Sequence, residues 1–234
     1  ILLWEIFSRL FFNKNLLPPP TFVFLAFVDM MKNGELIKDT LISLARAFLG
    51  FLISAIVGIL FGILTGRIAI LKKTLGQVLE LIRPIPAIAF LPLFILWFGI
   101  GETSKVLLIA YGCFFPIWIS TYIGVSSVDK TYIWAAKSLG ANRKDLLKEV
   151  ILPYAVPFIL TGLRTSIGIA FLVLVVAEMS GASAGLGFRI SVSHLIFRVD
   201  KMLVGIIILG IFGSLSHKLF VRLANKALPW YDTK

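Results

Sequence analysis

The sequence predicts an all-α polytopic membrane protein, and three observations support that prediction. Hydrophobic residues make up 59% of the 234 residues, charged residues make up 15%, and the mean hydropathy is +0.97. A soluble domain carries about 25% charged residues. The apolar residues form long continuous runs, as spanning helices of roughly 20 residues require, and they lack the alternation of a β-barrel. We expect a single transmembrane domain over residues 1–234 with six spanning helices, the first of them truncated.

The first forty residues predict three elements. Residues 1–12 are expected to be the tail of the first spanning helix, because no cleavage site follows them. The prolines within 17–20 cannot lie inside a helix and predict an extended exit from it. Residues 21–40 alternate apolar and polar side chains at helical spacing, which predicts a short amphipathic helix on the membrane surface.

Five further apolar runs predict the remaining spanning helices, near residues 44–65, 79–100, 104–125, 155–179 and 202–223. The first of these runs carries glycines at 50, 58, 62 and 66, and small residues four apart allow a second helix to approach closely. The next run contains Arg83-Pro84-Ile85-Pro86. Prolines there predict either a broken helix that borders a transport path or a simple kink.

The net charge of +11 indicates membrane topology and argues against nucleic-acid binding. Lysines and arginines are spread over several loops and form no single basic stripe. Segments 66–78, 126–153 and 217–234 hold twelve of them, whereas the opposite loops 14–43, 101–105 and 180–201 hold seven. The positive-inside rule therefore places the 126–153 loop and the C-terminus in the cytoplasm.

The 126–153 loop is the most informative segment, because it is a long polar stretch between two apolar runs. Gly140 is expected to form a left-handed turn or a close backbone approach. Leu139, Leu146, Leu147 and Val150 are spaced for one apolar helix face, and Pro153 is expected to end that helix. The pattern predicts a rigid helix–turn–helix that docks on a soluble partner and transmits its motion into the membrane.

The loop resembles the EAA motif of permease subunits in bacterial ABC importers, through Ala135-Ala136, Gly140 and Leu152-Pro153. In that family the motif forms the coupling helix that contacts the ATPase subunit. This chain departs from the motif at Trp134, which replaces the Glu, and at Val150, which replaces the Ile. The resemblance implies ATPase-coupling residues at Trp134, Ala135, Ala136, Lys137, Ser138, Leu139, Gly140, Ala141, Arg143, Leu152 and Pro153.

The resemblance extends along nearly the whole chain and points to one branch of these permeases. The matching segments are Arg83–Pro86, Ile95–Ile109 (ILWFGIGETSKVLLI), Phe115-Pro116, Thr161–Arg164, Ala177–Met179 and Gly185–Phe188. They look like the aliphatic sulfonate and taurine branch of the nitrate/sulfonate/taurine/bicarbonate permeases. Relatives that carry nitrate, bicarbonate or thiamine precursors share part of this pattern and remain alternatives.

Membership in that family would imply a type I importer fold and a multi-subunit machine in the bacterial or archaeal inner membrane. This chain would form a homodimer with two cytoplasmic ABC ATPase subunits, which bind ATP and magnesium, and an extracytoplasmic solute-binding protein would deliver the substrate. The sequence contains no G-x-x-x-x-G-K-[ST] phosphate loop, so we expect no cofactor on this chain and ATP hydrolysis by a separate one.

Ionisable side chains inside the membrane are costly and are candidates for a translocation path. Arg164 is followed by Thr165 and Ser166, a set that could ease the passage of an anion; a structural pair is the alternative. Glu178 is expected to be the partner of Arg164 or a gate residue, and Arg46 to reach the interface. The predicted path comprises Arg83, Pro84, Pro86, Arg164, Ser166 and Glu178.

Two other classes of protein compete with the importer permease. A membrane-embedded hydrolase would need a nucleophile with a base, or a metal pair, and the sequence contains neither H-E-x-x-H nor G-x-S-x-G. His194 and His217 lie at no metal-ligand spacing. An autonomous channel or secondary carrier would explain the charges within spans but not the 126–153 loop.

Overall fold

A computed structural model describes residues 2–11 and 16–228 of the chain, and every regular element among them is a helix. The helices are α1 Leu2–Phe11, α2 Pro20–Lys32, α3 Glu35–Arg67, α4 Ala69–Ile82, α5 Ala87–Phe98, α6 Glu102–Ser126, α7 Lys130–Ser138, α8 Arg143–Met179, α9 Leu186–Leu195 and α10 Val199–Ala227. Of these, α3, α6, α8 and α10 are long and apolar enough to cross a membrane. The predicted all-α membrane class is confirmed.

The predicted span at 79–100 is a broken helix. Helices α4 and α5 together are apolar enough to cross a membrane, but they meet at an angle of 89° across Arg83–Pro86. Two of those four residues are prolines, which have no amide hydrogen and cannot continue the helical ladder. The sequence left open a broken helix or a simple kink at Arg83–Pro86. The structure has a broken helix there, since the bend is far larger than a simple kink.

The glycines of α3 allow it to pack directly on α6. A Cβ atom added at Gly50, Gly58, Gly62 or Gly66 would lie 2.4–2.9 Å from the side chains of Ile109, Ile117, Thr121 and Val125, respectively. Every one of these contacts joins residues 59 positions apart, so the two helices run parallel. A chain that leaves one end of α3 must return to the opposite end to start α6. The α4–α5 pair therefore makes that return crossing.

Helix α6 lies between α3 and α8 and forms the centre of the molecule. Gly124 of α6 contacts Phe158 of α8, and Gly112 contacts Val173, so these two helices are antiparallel. Trp118 is 2% exposed, and its Nε1 donates to Thr65 Oγ1 of α3 at 3.1 Å. The structure thus has a core of three close-packed spanning helices, with the broken span and α10 packed around it.

The N-terminal part differs from the prediction at one boundary. Pro19 is extended, as expected, whereas Pro20 already begins α2; residues 1 and 12–15 lie outside the described part of the chain. The segment 21–40 is not one surface helix, because Gly34 adopts φ +71 and turns the chain into α3 at Glu35. Two polar residues of this segment, Asp39 and Thr40, belong to α3 and are buried there.

Candidate functional site

The 126–153 loop is a helical hairpin in which each turn is fixed by specific hydrogen bonds. Asp129 begins α7 by accepting from the backbone N–H of Thr131 at 2.8 Å, and this bond lowers the pKa of the Asp129 carboxyl. Gly140 ends the helix with φ +88, and Asn142 then caps α8 by accepting from the N–H groups of Lys144 and Asp145. The left-handed turn predicted at Gly140 is present, and a Cβ atom added there would meet no atom of the described residues within 4 Å.

The base of this hairpin is anchored in a small apolar cluster of its own. Val125, Val128, Leu146, Ile151 and Ala155 are buried together, with Ala136 and Ala141 of the hairpin packed against them. Small side chains at these two alanines let the hairpin lie close to the ends of the spanning helices. The hairpin is therefore fixed to the bundle and would move with it.

The tip of the hairpin exposes apolar side chains beside basic ones. Trp134 is 63% exposed, Tyr132 59% and Leu139 89%. The predicted apolar face of Leu139, Leu146, Leu147 and Val150 is therefore wrong at Leu139, because the turn at Gly140 directs the chain back and separates the two helices. Ala135, Lys137, Ser138, Arg143 and Pro153 are also exposed, whereas Leu152 is half-buried. Exposed large apolar residues on a fixed, partly basic tip are typical of a protein-binding surface.

The prediction that Pro153 ends the second helix of the hairpin is also wrong. Helix α8 continues from Arg143 to Met179. Residues Leu146–Ile151 form a π-helical turn, which is wider than an α-helical turn. This wider turn lets the helix continue through Pro153, which has no N–H group to donate. The hairpin and the spanning helix are consequently one continuous rod.

A buried polar network lies at the opposite end of the bundle, which we call the far end. Arg46 of α3 is 3% exposed, and its Nη1 donates to Glu178 Oε1 of α8 at 2.7 Å and to the Ala184 carbonyl at 2.7 Å. Its Nη2 and Nε also donate to both carboxylate oxygens of Glu102, at the start of α6. Arg46 therefore joins three helices, and the expectation that it extends to the interface is wrong.

Glu178 is fully buried and accepts three kinds of hydrogen bond at the far end. Ser43 Oγ donates to it at 2.8 Å, the Gly187 N–H at 2.8 Å and Arg46 as described. A Cβ atom on Gly185 would lie 2.4 Å from Glu178 Oε1, so only glycine allows the chain to pass there. Glu178 thus fastens the start of α9 to α3 and α8. It is not the partner of Arg164, which contradicts one of the two expectations for it.

The rest of this network involves residues that the sequence analysis did not select. Asp39 accepts from the Gly185 N–H at 2.9 Å and from Arg189 Nε at 2.8 Å. Asp39, Ser43 and Arg46 are spaced four and three apart, which places them on one helix face. That spacing was the available signal, but Asp39 and Ser43 lie before residue 44, where the predicted span began.

Arg164 and Ser166 are two residues apart on α8, so they lie on different faces of the helix and in different surroundings. Arg164 Nε donates to His217 Nε2 of α10 at 3.3 Å. Ser166 is fully buried, and its Oγ donates to the Cys113 carbonyl of α6 at 3.1 Å. Ser166 therefore joins α8 to α6, whereas Arg164 is half-buried next to a histidine.

The broken span borders a cavity of about 580 Å³ between α6 and α8. Arg83, Ile85, Pro86, Ala87 and Ile88 contribute one wall. Pro84 lies in the bend itself. The remaining walls are mainly apolar and come from Tyr111, Gly112, Phe115, Pro116, Ile119, Ile169, Leu172 and Val173. Of the predicted path residues, Arg83 and Pro86 thus share one cavity, and Arg164, Ser166 and Glu178 lie outside it.

Comparison with known proteins identifies the class. Residues 58–228 match the family model described as the binding-protein-dependent transport system inner membrane component. A Bacillus subtilis protein whose name describes an aliphatic sulfonates transport permease, SsuC, is 40% identical over all of this chain and 85% of its own length. The Escherichia coli taurine transport system permease protein TauC is 37% identical over 97% of this chain and 85% of its own.

Solved structures agree with this fold. An inward-facing structure of the MetNI methionine ABC transporter aligns with a TM-score of 0.70 at 21% identity, covering 85% of this chain and 97% of that one. The chain belongs to the family of binding-protein-dependent transport system inner membrane components. It is a multi-pass membrane permease, which is a transport component and not an enzyme.

Proposed function

We propose that this chain is the permease subunit of an ATP-driven importer that passes a small sulfonate, an aliphatic sulfonate or taurine, into the cytoplasm. Two copies would form the pore, two ABC ATPase subunits would bind the 126–153 hairpins, and a solute-binding protein would deliver the substrate on the other side of the membrane. Nucleotide and magnesium would be held by the ATPase subunits.

The observation that carries this proposal is the construction of the 126–153 hairpin. Its tip exposes Trp134 and Leu139, its base is packed into the bundle, and its second helix continues without interruption into α8. A partner that moves the tip would therefore move a spanning helix. An autonomous carrier would have no use for such a lever on the cytoplasmic side. The sulfonate assignment is supported by the names of the two relatives.

The first test is isolation and reconstitution of the complex. The tagged chain, extracted in mild detergent, should retain an ABC ATPase in a stoichiometry of one to one, identified by mass spectrometry. Liposomes that contain this complex should accumulate labelled taurine or ethanesulfonate only with ATP and a solute-binding protein. A chain that purifies alone and transports alone would overturn the proposal in favour of an autonomous carrier.

Gly140 offers a sharper test of coupling, because its role is purely conformational. A Cβ atom at this position has open space among the described residues, but φ +88 is costly for leucine, by about 1–2 kcal/mol, and much less so for asparagine. We expect Gly140→Leu to keep normal complex levels and lose uptake relative to ATP hydrolysis, and Gly140→Asn to retain both. Normal uptake by Gly140→Leu at normal complex levels would contradict the coupling role.

A further inference from the structure

The cavity beside the broken span lies at the mid-depth of the spanning helices. Tyr111 is nine residues and Ile119 seventeen residues from the start of α6 at Glu102, or roughly 13 and 25 Å along a helix of about 36 Å. On α8, Ile169, Leu172 and Val173 line the same cavity, well inside the helix. Its volume of about 580 Å³ is within the range of small-molecule sites, about 300–1,000 Å³.

Arg83 is an unpaired cation at this cavity. Its guanidinium has no hydrogen bond or ion pair to any of the described residues, and none of the residues that line the cavity is acidic. Arg83 is exposed, whereas the buried Arg46 pairs with two glutamates and the half-buried Arg164 donates to His217. An arginine within a membrane span normally faces a partner or an ion pathway. The N–H groups of the Arg83 guanidinium are therefore available to bind an anion.

The remaining walls suit a short carbon chain. Ile88, Phe115, Ile119 and Leu172 are apolar, and Arg83 is the one charged residue among those that line the cavity. Such a wall stabilises a hydrocarbon chain in proportion to the apolar surface that it covers. Cation and apolar wall together match an amphiphilic anion, with a charged head and a hydrocarbon tail.

An exposed row on α8 leads from the cavity toward the 126–153 loop. Leu172, Gly168, Thr165 and Thr161 are spaced four, three and four residues apart, so they lie on one face of the helix, and all four are exposed. Both threonine hydroxyls donate to backbone carbonyls one turn earlier in α8, Thr161 to Pro157 at 2.9 Å and Thr165 to Thr161 at 3.0 Å.

Resting on the proposed function, we propose that this cavity is a transient site for the transported alkanesulfonate within the permease itself. The sulfonate pairs with the Arg83 guanidinium, and the carbon chain lies against Ile88, Ile119 and Leu172. Affinity then depends on chain length in the membrane subunit as well as in the binding protein. Anionic lipid from the bilayer offers the same chemistry, and the test separates the two sources.

The test measures binding to the permease–ATPase complex without its solute-binding protein. The complex is placed in nanodiscs of phosphatidylcholine, and saturable binding of labelled 1-hexanesulfonate is measured by scintillation proximity, with butane- to octanesulfonates as competitors. We expect affinity to rise about fourfold per methylene until the cavity is full. Arg83→Gln should weaken binding about tenfold or more, since it removes a charge-assisted hydrogen bond. Arg222→Gln, the same change at an exposed arginine of α10, should leave binding unchanged.

A second variant changes the size of the cavity and leaves its charge unchanged. Leu172 is 71% exposed, so Leu172→Trp adds bulk at the wall without disturbing the protein core. It should remove the gain in affinity for the longest chains while leaving butanesulfonate binding as in the wild type. Leu172→Ala should preserve the gain. Misfolding would weaken the binding of every alkanesulfonate alike. It would not remove the gain for long chains while leaving butanesulfonate binding unchanged in the same variant.

Three results would overturn the proposal, and each identifies a different cause. The complex could import sulfonates with its binding protein and yet show no saturable binding, or binding that Arg83→Gln does not change. That result would support the proposed function and refute the proposed site. A complex that neither imports nor binds sulfonates would refute both the proposed function and the proposed site. If Arg83 instead retains phosphatidylglycerol through purification, and hexanesulfonate fails to displace it, the cavity is a lipid site.

Discussion

Removing Arg46 should expose how much the far-end network contributes to stability. In Arg46→Met, the fully buried Glu178 carboxylate keeps the Ser43 hydroxyl and the Gly187 N–H but loses its cation. Breaking a buried ion pair by removal of one partner costs about 3–5 kcal/mol, because the other charge remains buried without compensation. For a protein of this size, that free energy corresponds to a fall of roughly 6–20 °C in the unfolding midpoint.

Glu102 provides the matched control, because it contacts the same guanidinium from an exposed position. Its side chain is 63% exposed, and its distance to Arg46 is no longer than that of Glu178. An ion pair with one solvent-exposed partner contributes up to about 1 kcal/mol, so Glu102→Gln should lower the midpoint by no more than about 4 °C. The two carboxylates thus differ in the expected effect because of burial alone.

The assay is thermal unfolding of the purified complex, followed by fluorescence-detected size exclusion. Glu178→Met should be less destabilising than Arg46→Met, because Arg46 keeps both of its hydrogen bonds to Glu102. The double variant should be less destabilised than the sum of the two, since no buried carboxylate then remains unpaired. Additive effects, or an Arg46→Met midpoint no lower than that of Glu102→Gln, would refute the claim that the pair holds the far end together.

Two further predictions concern packing and transport. Gly62→Ala should destabilise the complex by about 1–3 kcal/mol, because the new methyl group would overlap Thr121, whereas Gly210→Ala, with open space around it, should be neutral or slightly stabilising; thermal unfolding measures both. Arg164→Ala should lower uptake more than it lowers assembly of the complex, measured as uptake per assembled complex. A failure to assemble would assign Arg164 and its contact with His217 to structure.

The sequence predicted the spanning helices well, because hydropathy measures a property that the lipid itself imposes. The helices predicted at 104–125 and 202–223 agree with α6 and α10 to within a few residues. The helix predicted at 155–179 ends with α8 at Met179, whereas α8 begins earlier, at Arg143. The glycines of α3 also lie where small residues are needed for close packing. These features depend on local composition and on the spacing of small residues, and both can be read from a single sequence.

The features that the sequence could not supply depend on pairing between distant segments. Arg46 and Glu178 are 132 positions apart, and no local pattern joins them. Hydropathy also placed the start of α3 too late, since Asp39 and Ser43 look like surface residues until their partners are known. At Pro153, a rule derived from regular α-helices was wrong because the preceding turn is π-helical. The role of the 126–153 loop as the contact with an ATPase subunit remains a prediction.

The continuity of α8 has a mechanical consequence. From Arg143 to Met179 the helix is about 54 Å long, so a tilt of about 5° at the hairpin displaces the far end by about 5 Å. Glu178 lies one residue from that end and fastens it to α3 and α9, so such a displacement would carry the whole far end along rather than bend a single helix. One stiff strut can therefore convert a small rotation on one side of the membrane into an opening on the other.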